Sequence, residues 1–270
     1  MSLLYSHIGA SRQDADAIAY VSAIRTAGAT VTAAQRDYIN DFIRAEKIAA
    51  RWDSIKRLYL PIWGLAAANA ICMKSLISGT FVGTVTHAAG YAQGNGSTGY
   101  LNTNTDFVTQ GLTLSSGFMF ALTILDATQD FDRLLGAGTG SSETTLIHRT
   151  VPRLDCRYSG VVAGQITLNT SSNTGVSAFS RISGTRRLSV RKTAGVTSTS
   201  NTSADSGTIP SSNVLTMAFN DANSGVTMAG ASNARFGAVG FGLGLTSADT
   251  DAFTLALKNL WEGTTGLTLP

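Results

Sequence analysis

Residues 94–99 read Gly-Asn-Gly-Ser-Thr-Gly, a G-x-G-x-x-G spacing within YAQGNGSTGYLNTNTDF. In a dinucleotide-binding loop this spacing has a defined chemistry. The second glycine admits the pyrophosphate to the backbone, and the third opens a helix whose N-terminal amides face the phosphate. Here Gly99 is followed by Tyr-Leu-Asn-Thr-Asn-Thr, which favours extended chain over helix. The spacing therefore reads as turn chemistry: a hairpin loop in which the glycines and Asn95 supply positive φ.

Other reactive groups are sparse and scattered. No G-x-S-x-G elbow is present, and His7, His87 and His148 each lack an acid nearby in sequence to orient the ring. Glycoside cleavage normally needs two carboxylates at a fixed separation. The chain has three glutamates, Glu46, Glu143 and Glu262, none in an E-x-D-x-E strand. Asp130 and Asp132, in TQDFDRL, read as a turn between strands. Cys72 and Cys156 show no C-x-x-C spacing, so free buried thiols are expected, with no metal and no cofactor. Arg181, Arg186, Arg187, Arg191 and Lys192 fall on one hairpin without interleaved aromatic residues. That pattern predicts a solvated strand face or a contact with an acidic neighbour, and no nucleic-acid partner. No enzymatic activity is expected.

The elements that must position these residues begin with helices. Ile18, Val21 and Ile24 recur at helical spacing, and Gly28 closes that segment. Thr32 and Gln35 form a capping box ahead of a stripe of Tyr38, Ile39, Phe42 and Ile43. Trp52, Ile55, Leu58 and Tyr59 read as continuing the helical theme until Pro61. Two uses of the stripes are open: packing on the rest of the chain, or a subunit contact through Tyr38, Phe42, Trp52 and Tyr59. The start of the chain shows no basic n-region followed by an apolar run, and so no secretory signal. LYLPIWGLAAANAICM is interrupted by Pro61, Gly64 and Asn69 and is too short for a bilayer. A soluble protein made in a cytoplasm, without membrane insertion, is the expectation.

From about residue 80 the period changes to two. In GFMFALTIL, Phe118, Phe120, Leu122 and Ile124 alternate with Met119, Ala121 and Leu125, which predicts a strand buried on both faces. RRLSVRK alternates Leu188 and Val190 with Arg187, Ser189 and Arg191, which predicts one wet face. TTLIHRT, RLDCRYS, VVAGQITL, NVLTMAFN and RFGAVGFGL supply further strands between Gly, Asn and Ser clusters. Strands without intervening helices imply an antiparallel sandwich. Thr246 and Asp249 then cap a last helix with an apolar stripe of Phe253, Leu257, Leu260 and Trp261. Charged residues are 14% of the 270 and the net charge is +3. A typical soluble domain has about 25% charged residues. A surface of small neutral polar groups suits a protein that persists outside a cell or packs in a large assembly.

Three tokens carry a resemblance: W-D-x-I-K-x-x-Y-L-P-I-W-G from Trp52, A-A-N at Ala67–Asn69, and G-L-G-L-T-S-A-D from Gly242. With them the chain resembles a family of tailed-bacteriophage virion proteins in which a short helical lead precedes a concanavalin A-like, laminin G-like jelly-roll domain. The resemblance implies a mainly β, antiparallel jelly-roll sandwich at residues 76–270, with an N-terminal helical segment at 1–75 for packing or attachment. It implies a non-enzymatic tail, fibre or capsid-surface component of the virion, made in the host cytoplasm, a homo-oligomer with other virion proteins as partners. The alternative is a carbohydrate-binding module for the host surface. Sugar sites need an aromatic platform beside amide groups, and Tyr91, Tyr100, Asn102 and Asn104 form the candidate cluster for a host-surface glycan.

Overall fold

The computed structural model describes residues 13–125, 132–139, 142–149, 153–158, 165–170, 172, 174–202, 207–218, 220–221 and 232–270. The chain opens with α1 (Ala15–Thr26), α2 (Ala33–Ile48), β1 (Ile55–Tyr59) and the short α3 (Ala66–Asn69). Strands follow as β2 (Thr80–Val82), β3 (Val85–Ala88), β4 (Tyr91–Gly94), β5 (Tyr100–Asn102), β6 (Ser116–Leu125) and β7 (Asp132–Thr139). Next come β8 (Ser142–Arg149), β9 (Arg153–Arg157), β10 (Gln165–Asn169), β11 (Gly175–Ile182), β12 (Thr185–Lys192) and β13 (Gly195–Thr202). β14 (Leu215–Thr216), β15 (Asn220–Asp221), β16 (Arg235–Gly242) and α4 (Ser247–Thr265) complete the chain.

Two sheets form an antiparallel sandwich. The first has the order β13-β12-β11-β6-β16-β4-β3, with β1 also paired to β16. The second has the order β10-β9-β8-β7-β14-β5-β2, and β15 joins β7 in parallel. Strand β6 shows how the layers meet. Its Phe118, Phe120 and Leu122 lie in a core shared with the helices, whereas Met119 and Ala121 lie in the core between the sheets. The expected burial of both faces is what the structure has, and the arrangement is three layers: helices, first sheet, second sheet.

The helices cover one face of the first sheet. α1 buries Ala17, Tyr20, Val21 and Ile24, while Ile18 turns outward and is 52% exposed. The capping box on α2 is present: Gln35 N–H donates to Thr32 Oγ1 at 3.2 Å, and Thr32 N–H donates to Gln35 Oε1 at 2.9 Å. The Gln35 amide also donates to the Thr264 carbonyl at 2.8 Å, tying α2 to α4. α4 begins at the predicted Thr246 cap, which accepts from Asp249 N–H at 3.1 Å, and buries Phe253, Leu257, Leu260 and Trp261. Phe253 is the hub of an aromatic cluster, with ring centroids 5.2 Å from Phe118, 4.8 Å from Phe120 and 6.2 Å from Phe42.

Two sequence readings change. Residues 55–59 are strand β1, not helix, paired as Leu58 with Gly240 and Tyr59 with Val239. Leu58 faces the helices and Tyr59 the inter-sheet core, so both neighbours are buried and the period-two signal is lost. Of the two uses open for the lead segment, packing on the rest of the chain is seen: Tyr20, Ile39, Ile55 and Leu58 share one core with Phe118, Val176 and Phe253. The face of β12 expected to be wet is roofed by α4. The Arg187 guanidinium donates to both oxygens of Asp251, at 2.7 and 2.8 Å, and Arg191 donates to Thr254 Oγ1 at 3.0 Å.

Candidate functional site

The stretch 94–99 is not a hairpin. β4 belongs to the first sheet and β5 to the second, so the loop carries the chain from one sheet to the other. Gly83 and Thr84, between β2 and β3, make a second crossing beside it. A Cβ on Gly83 would collide with the Thr98 carbonyl, and one on Gly99 with the Thr84 carbonyl. Close approach of two backbones is thus what requires Gly99. Within 94–99 only Gly96 takes positive φ, at 75°; Asn95 does not.

Asn95 has another role. Its Oδ1 accepts from the N–H groups of Ser97, Thr98 and Gly99 at 3.1, 2.7 and 2.9 Å. Its Nδ2 donates to Thr98 Oγ1 at 2.9 Å. A phosphate cradle works by aiming free backbone amides at the anion. Three of the amides this loop would aim are already bound to a side chain of the loop.

At the first-sheet end of the loop, alternation along β4 puts Tyr91 and Gln93 on one face and buries Ala92 and Gly94 on the other. β16 supplies a third group, because Arg235 is the register partner of Gln93. The Arg235 guanidinium carbon sits 4.6 Å from the Tyr91 ring centroid, and its Nε donates to Gln93 Oε1 at 3.2 Å. Gln93 Nε2 in turn donates to the Asn233 carbonyl at 2.7 Å, so the amide is oriented from both ends. All three side chains are half-buried. A guanidinium over an exposed ring contributes about 0.5–1 kcal/mol. The result is a pre-oriented row of aromatic, amide and guanidinium groups whose remaining donors match hydroxyl or carbonyl oxygens of a polar ligand. Gln93 and Arg235 were not singled out in the sequence; the Y-x-Q alternation was the available signal for Gln93, and nothing local marks Arg235.

The predicted quartet is divided between the two sheets. Tyr91 stays with Gln93 and Arg235. Tyr100 is 8% exposed and packs with Leu215 and Ala218. Asn102 Oδ1 accepts from Asn104 N–H at 2.9 Å, and Asn104, at φ 56°, donates through Nδ2 to the Ser78 carbonyl at 3.2 Å and Thr80 Oγ1 at 3.0 Å. The two asparagines build a turn.

The residues offered for a subunit contact are mostly internal. Phe42 and Trp52 are buried edge to face, at 6.4 Å between centroids, and the Trp52 indole donates to Asp16 Oδ2 at 2.8 Å. Lys47, hydrogen-bonded to Asp16, holds that carboxyl below the usual carboxylate range. Tyr59 is fully buried, and burial pushes its hydroxyl well above the usual tyrosine range. Tyr38 alone is exposed, at 47%, with its ring against Gly263.

The basic hairpin separates by alternation into two environments. Arg187 and Arg191 reach α4, as described, so the acidic neighbour is Asp251 of the same chain. Arg181 and Arg186, register partners on β11 and β12, are 0% and 1% exposed. Burial lowers the pKa of both guanidinium groups, and for Arg181 the adjacent Arg186 adds to it. The basic residues described on this hairpin therefore do not share one face.

A second polar assembly covers the outer face of the second sheet. Leu146, Leu154, Cys156, Ile166 and Leu168 point between the sheets, so Glu143, Arg153, Asp155, Arg157, Gln165 and Thr167 point away. Arg157 donates to Glu143 Oε2 at 2.5 Å and to Gln165 Oε1 at 3.5 Å. Gln165 donates to Thr167 Oγ1 at 3.2 Å, Thr167 to Asp155 Oδ1 at 2.8 Å, and Arg153 to Asp155 Oδ2 at 2.9 Å. Asp155 pairs with Ile147, four positions along β8 from Glu143. At about 3.3 Å per residue the backbone positions of Ile147 and Glu143 are about 13 Å apart along β8.

His7 and Asp130 lie outside the described residues, as do the side chains of Asp132 and His148. Cys72 and Cys156 are buried and free, and burial pushes the Cys156 thiol well above its usual range. Among the described residues no group of three or more His, Cys, Asp or Glu is placed to hold a metal ion, and no helix is long and apolar enough to cross a membrane.

No protein-family model and no curated protein matches the chain. Two solved structures share part of its path. The CBM40 of Ruminococcus gnavus IT-sialidase is 10% identical, with a TM-score of 0.36 over 56% of this chain and 91% of that one. A leech intramolecular trans-sialidase complexed with 2,7-anhydro-Neu5Ac is 8% identical, with a TM-score of 0.36 over 60% of this chain and 24% of that one. Likenesses at this level carry no argument about the activity of this chain.

Proposed function

We propose that the protein is a non-enzymatic structural component of a tailed-phage virion, made in the host cytoplasm and exposed on the tail, fibre or capsid surface. The observation that carries this reading is where the family-like tokens lie. The first and last tokens, far apart in sequence, are one structural unit: Ile55 pairs with Gly242, and Leu243 N–H donates to the Ser54 carbonyl at 2.8 Å. A Cβ on Gly242 would collide with that same Ser54 carbonyl, so the Gly-Leu-Gly-Leu-Thr turn and the Trp-Asp-Ser-Ile strand entry need each other. Ala67–Asn69 lies past the other end of β1, where Asn69 Oδ1 accepts from Trp63 N–H at 2.8 Å. Antibody labelling of purified particles tests the reading: label on intact particles is expected, and particles free of the chain overturn it.

A second reading is favoured by one specific feature, the Tyr91–Gln93–Arg235 row. We propose that it contacts a host-surface glycan, the ring lying against sugar C–H groups while the amide and guanidinium engage hydroxyls. Binding to host polysaccharide that falls at least tenfold in Tyr91→Ala and in Arg235→Ala is expected. Silence of the wild-type chain across host polysaccharides would sink it.

A further inference from the structure

We propose that β13 is a pairing edge, and that its occupant is β13 of a second copy of this chain, joined antiparallel about a two-fold axis. β13 runs Gly195–Thr202 without a bulge against β12, with Thr185 opposite Thr202 and Lys192 opposite Gly195. It ends the order of the first sheet, so among the described residues its far side pairs with no strand. Six of its eight residues are exposed and two are intermediate; one side lies along β10 of the second sheet.

Exposed edges of this kind template pairing unless something blunts them: shortness, a charge, a proline or a bulge. The other ends of the two sheets are blunted by length, with three residues in β2, four in β3 and five in β10. β13 has eight residues, and Gly-Val-Thr-Ser-Thr-Ser-Asn-Thr contains no charge and no proline. At about 3.3 Å per residue it presents about 26 Å of backbone that no described strand pairs.

The neutrality also selects the partner. Two copies of a charged strand would set like charges opposite each other, which destabilises a pair, whereas Thr opposite Thr or Ser hydrogen-bonds. Symmetry narrows the register further. Opposed residues in an antiparallel ladder belong to the same hydrogen-bonding class, and classes alternate along a strand. The axis therefore passes through a residue, Ser198 or Thr199. With the axis on Thr199, Thr197 faces Asn201; with the axis on Ser198, Thr197 faces Thr199. Either register joins the two first sheets into one continuous sheet through an isologous contact.

The test is sedimentation velocity on the full chain over a range of concentrations, with the double variant Thr197→Lys/Thr199→Lys beside it. In either register the variant sets at least one lysine directly against another, at positions paired with Val190 and Leu188 of β12, of which Thr197 is exposed and Thr199 intermediate. A species of twice the 28.1 kDa chain mass is expected for wild type, with dissociation at least tenfold easier in the variant. Hydrogen exchange on wild type guards against a misfolded variant: alternate amides of 195–202 should gain protection as concentration rises. A wild type that stays at 28.1 kDa throughout overturns the proposal, including one that instead takes up an added extended peptide along β13. So does a dimer in which the β13 amides exchange as fast as in dilute protein.

Discussion

The helix-covered face of the first sheet and the outer face of the second are built on the same strand geometry with opposite chemistry. On the first, Phe118, Phe120 and Val176 meet Phe42, Phe253, Leu257 and Trp261, and stabilisation comes from apolar area and ring packing. On the second, Glu143, Asp155 and three arginines, Arg133, Arg153 and Arg157, satisfy one another through hydroxyl and amide relays. A layer that packs through side-chain shape is lost when a ring is removed. A layer that packs through polar satisfaction is lost when one partner is removed and the others stay behind.

The largest effect is therefore expected from Phe253→Ala, which empties the centre of four rings. Urea titration should show a loss of about 3–5 kcal/mol. A loss under about 1 kcal/mol would mean that the helices rest on the sheet without sharing its core. On the opposite face Asp155→Asn keeps shape and removes charge from a fully buried carboxylate bound by Arg153 and Thr167. A cost of about 1–3 kcal/mol is expected by the same titration, and a neutral result would show that the network is decorative. Thr32→Ala asks how far the helical layer depends on its own ends. Loss of the capping box should cost about 1 kcal/mol without altering the near-ultraviolet signal of the aromatic cluster.

The smallest effect probes the seam between the sheets. His87 on β3 stacks edge to face on Phe81 of β2, with centroids 4.5 Å apart, and its Nδ1 lies 3.0 Å from Asn69 Nδ2. Trp63 N–H holds the Asn69 oxygen, so the amide presents its NH2 and the ring must accept at Nδ1. Burial lowers the His87 pKa from its ordinary 6.5. Below 6.5 the unfolded chain takes up a proton that the folded chain refuses, so stability is full above that pH and is lost as the pH falls toward the folded pKa. His87→Gln, which retains an acceptor, should flatten the slope of stability against pH in that window; an unchanged slope would exclude His87 as its source.

Elements with their own local signal were legible. The Thr32 box, the Thr246 cap, the apolar stripe of α4 and the two-sided burial of β6 all follow from residues within one or two turns or along a single strand. β1 was misread because Leu58 and Tyr59 are buried on opposite faces, which erases alternation and imitates a helical stripe. The candidate site was legible only at Tyr91. Tyr100, Asn102 and Asn104 are close to it in sequence, yet the crossing at 94–99 delivers them to the other sheet. Arg235 comes from a strand distant in the chain, and only strand pairing brings it to Gln93.

The amino-acid sequence by itself determined where α2 and α4 begin and that the chain after about residue 80 extends, since caps and alternation are short-range constraints. Tertiary structure alone decided that the glycine loop links two sheets and that the basic hairpin divides between a buried pair and a helix contact. The physical reason is common to both. Each depends on which backbone lies alongside, and that neighbour is set by burial of the whole chain, not by the residues next in line.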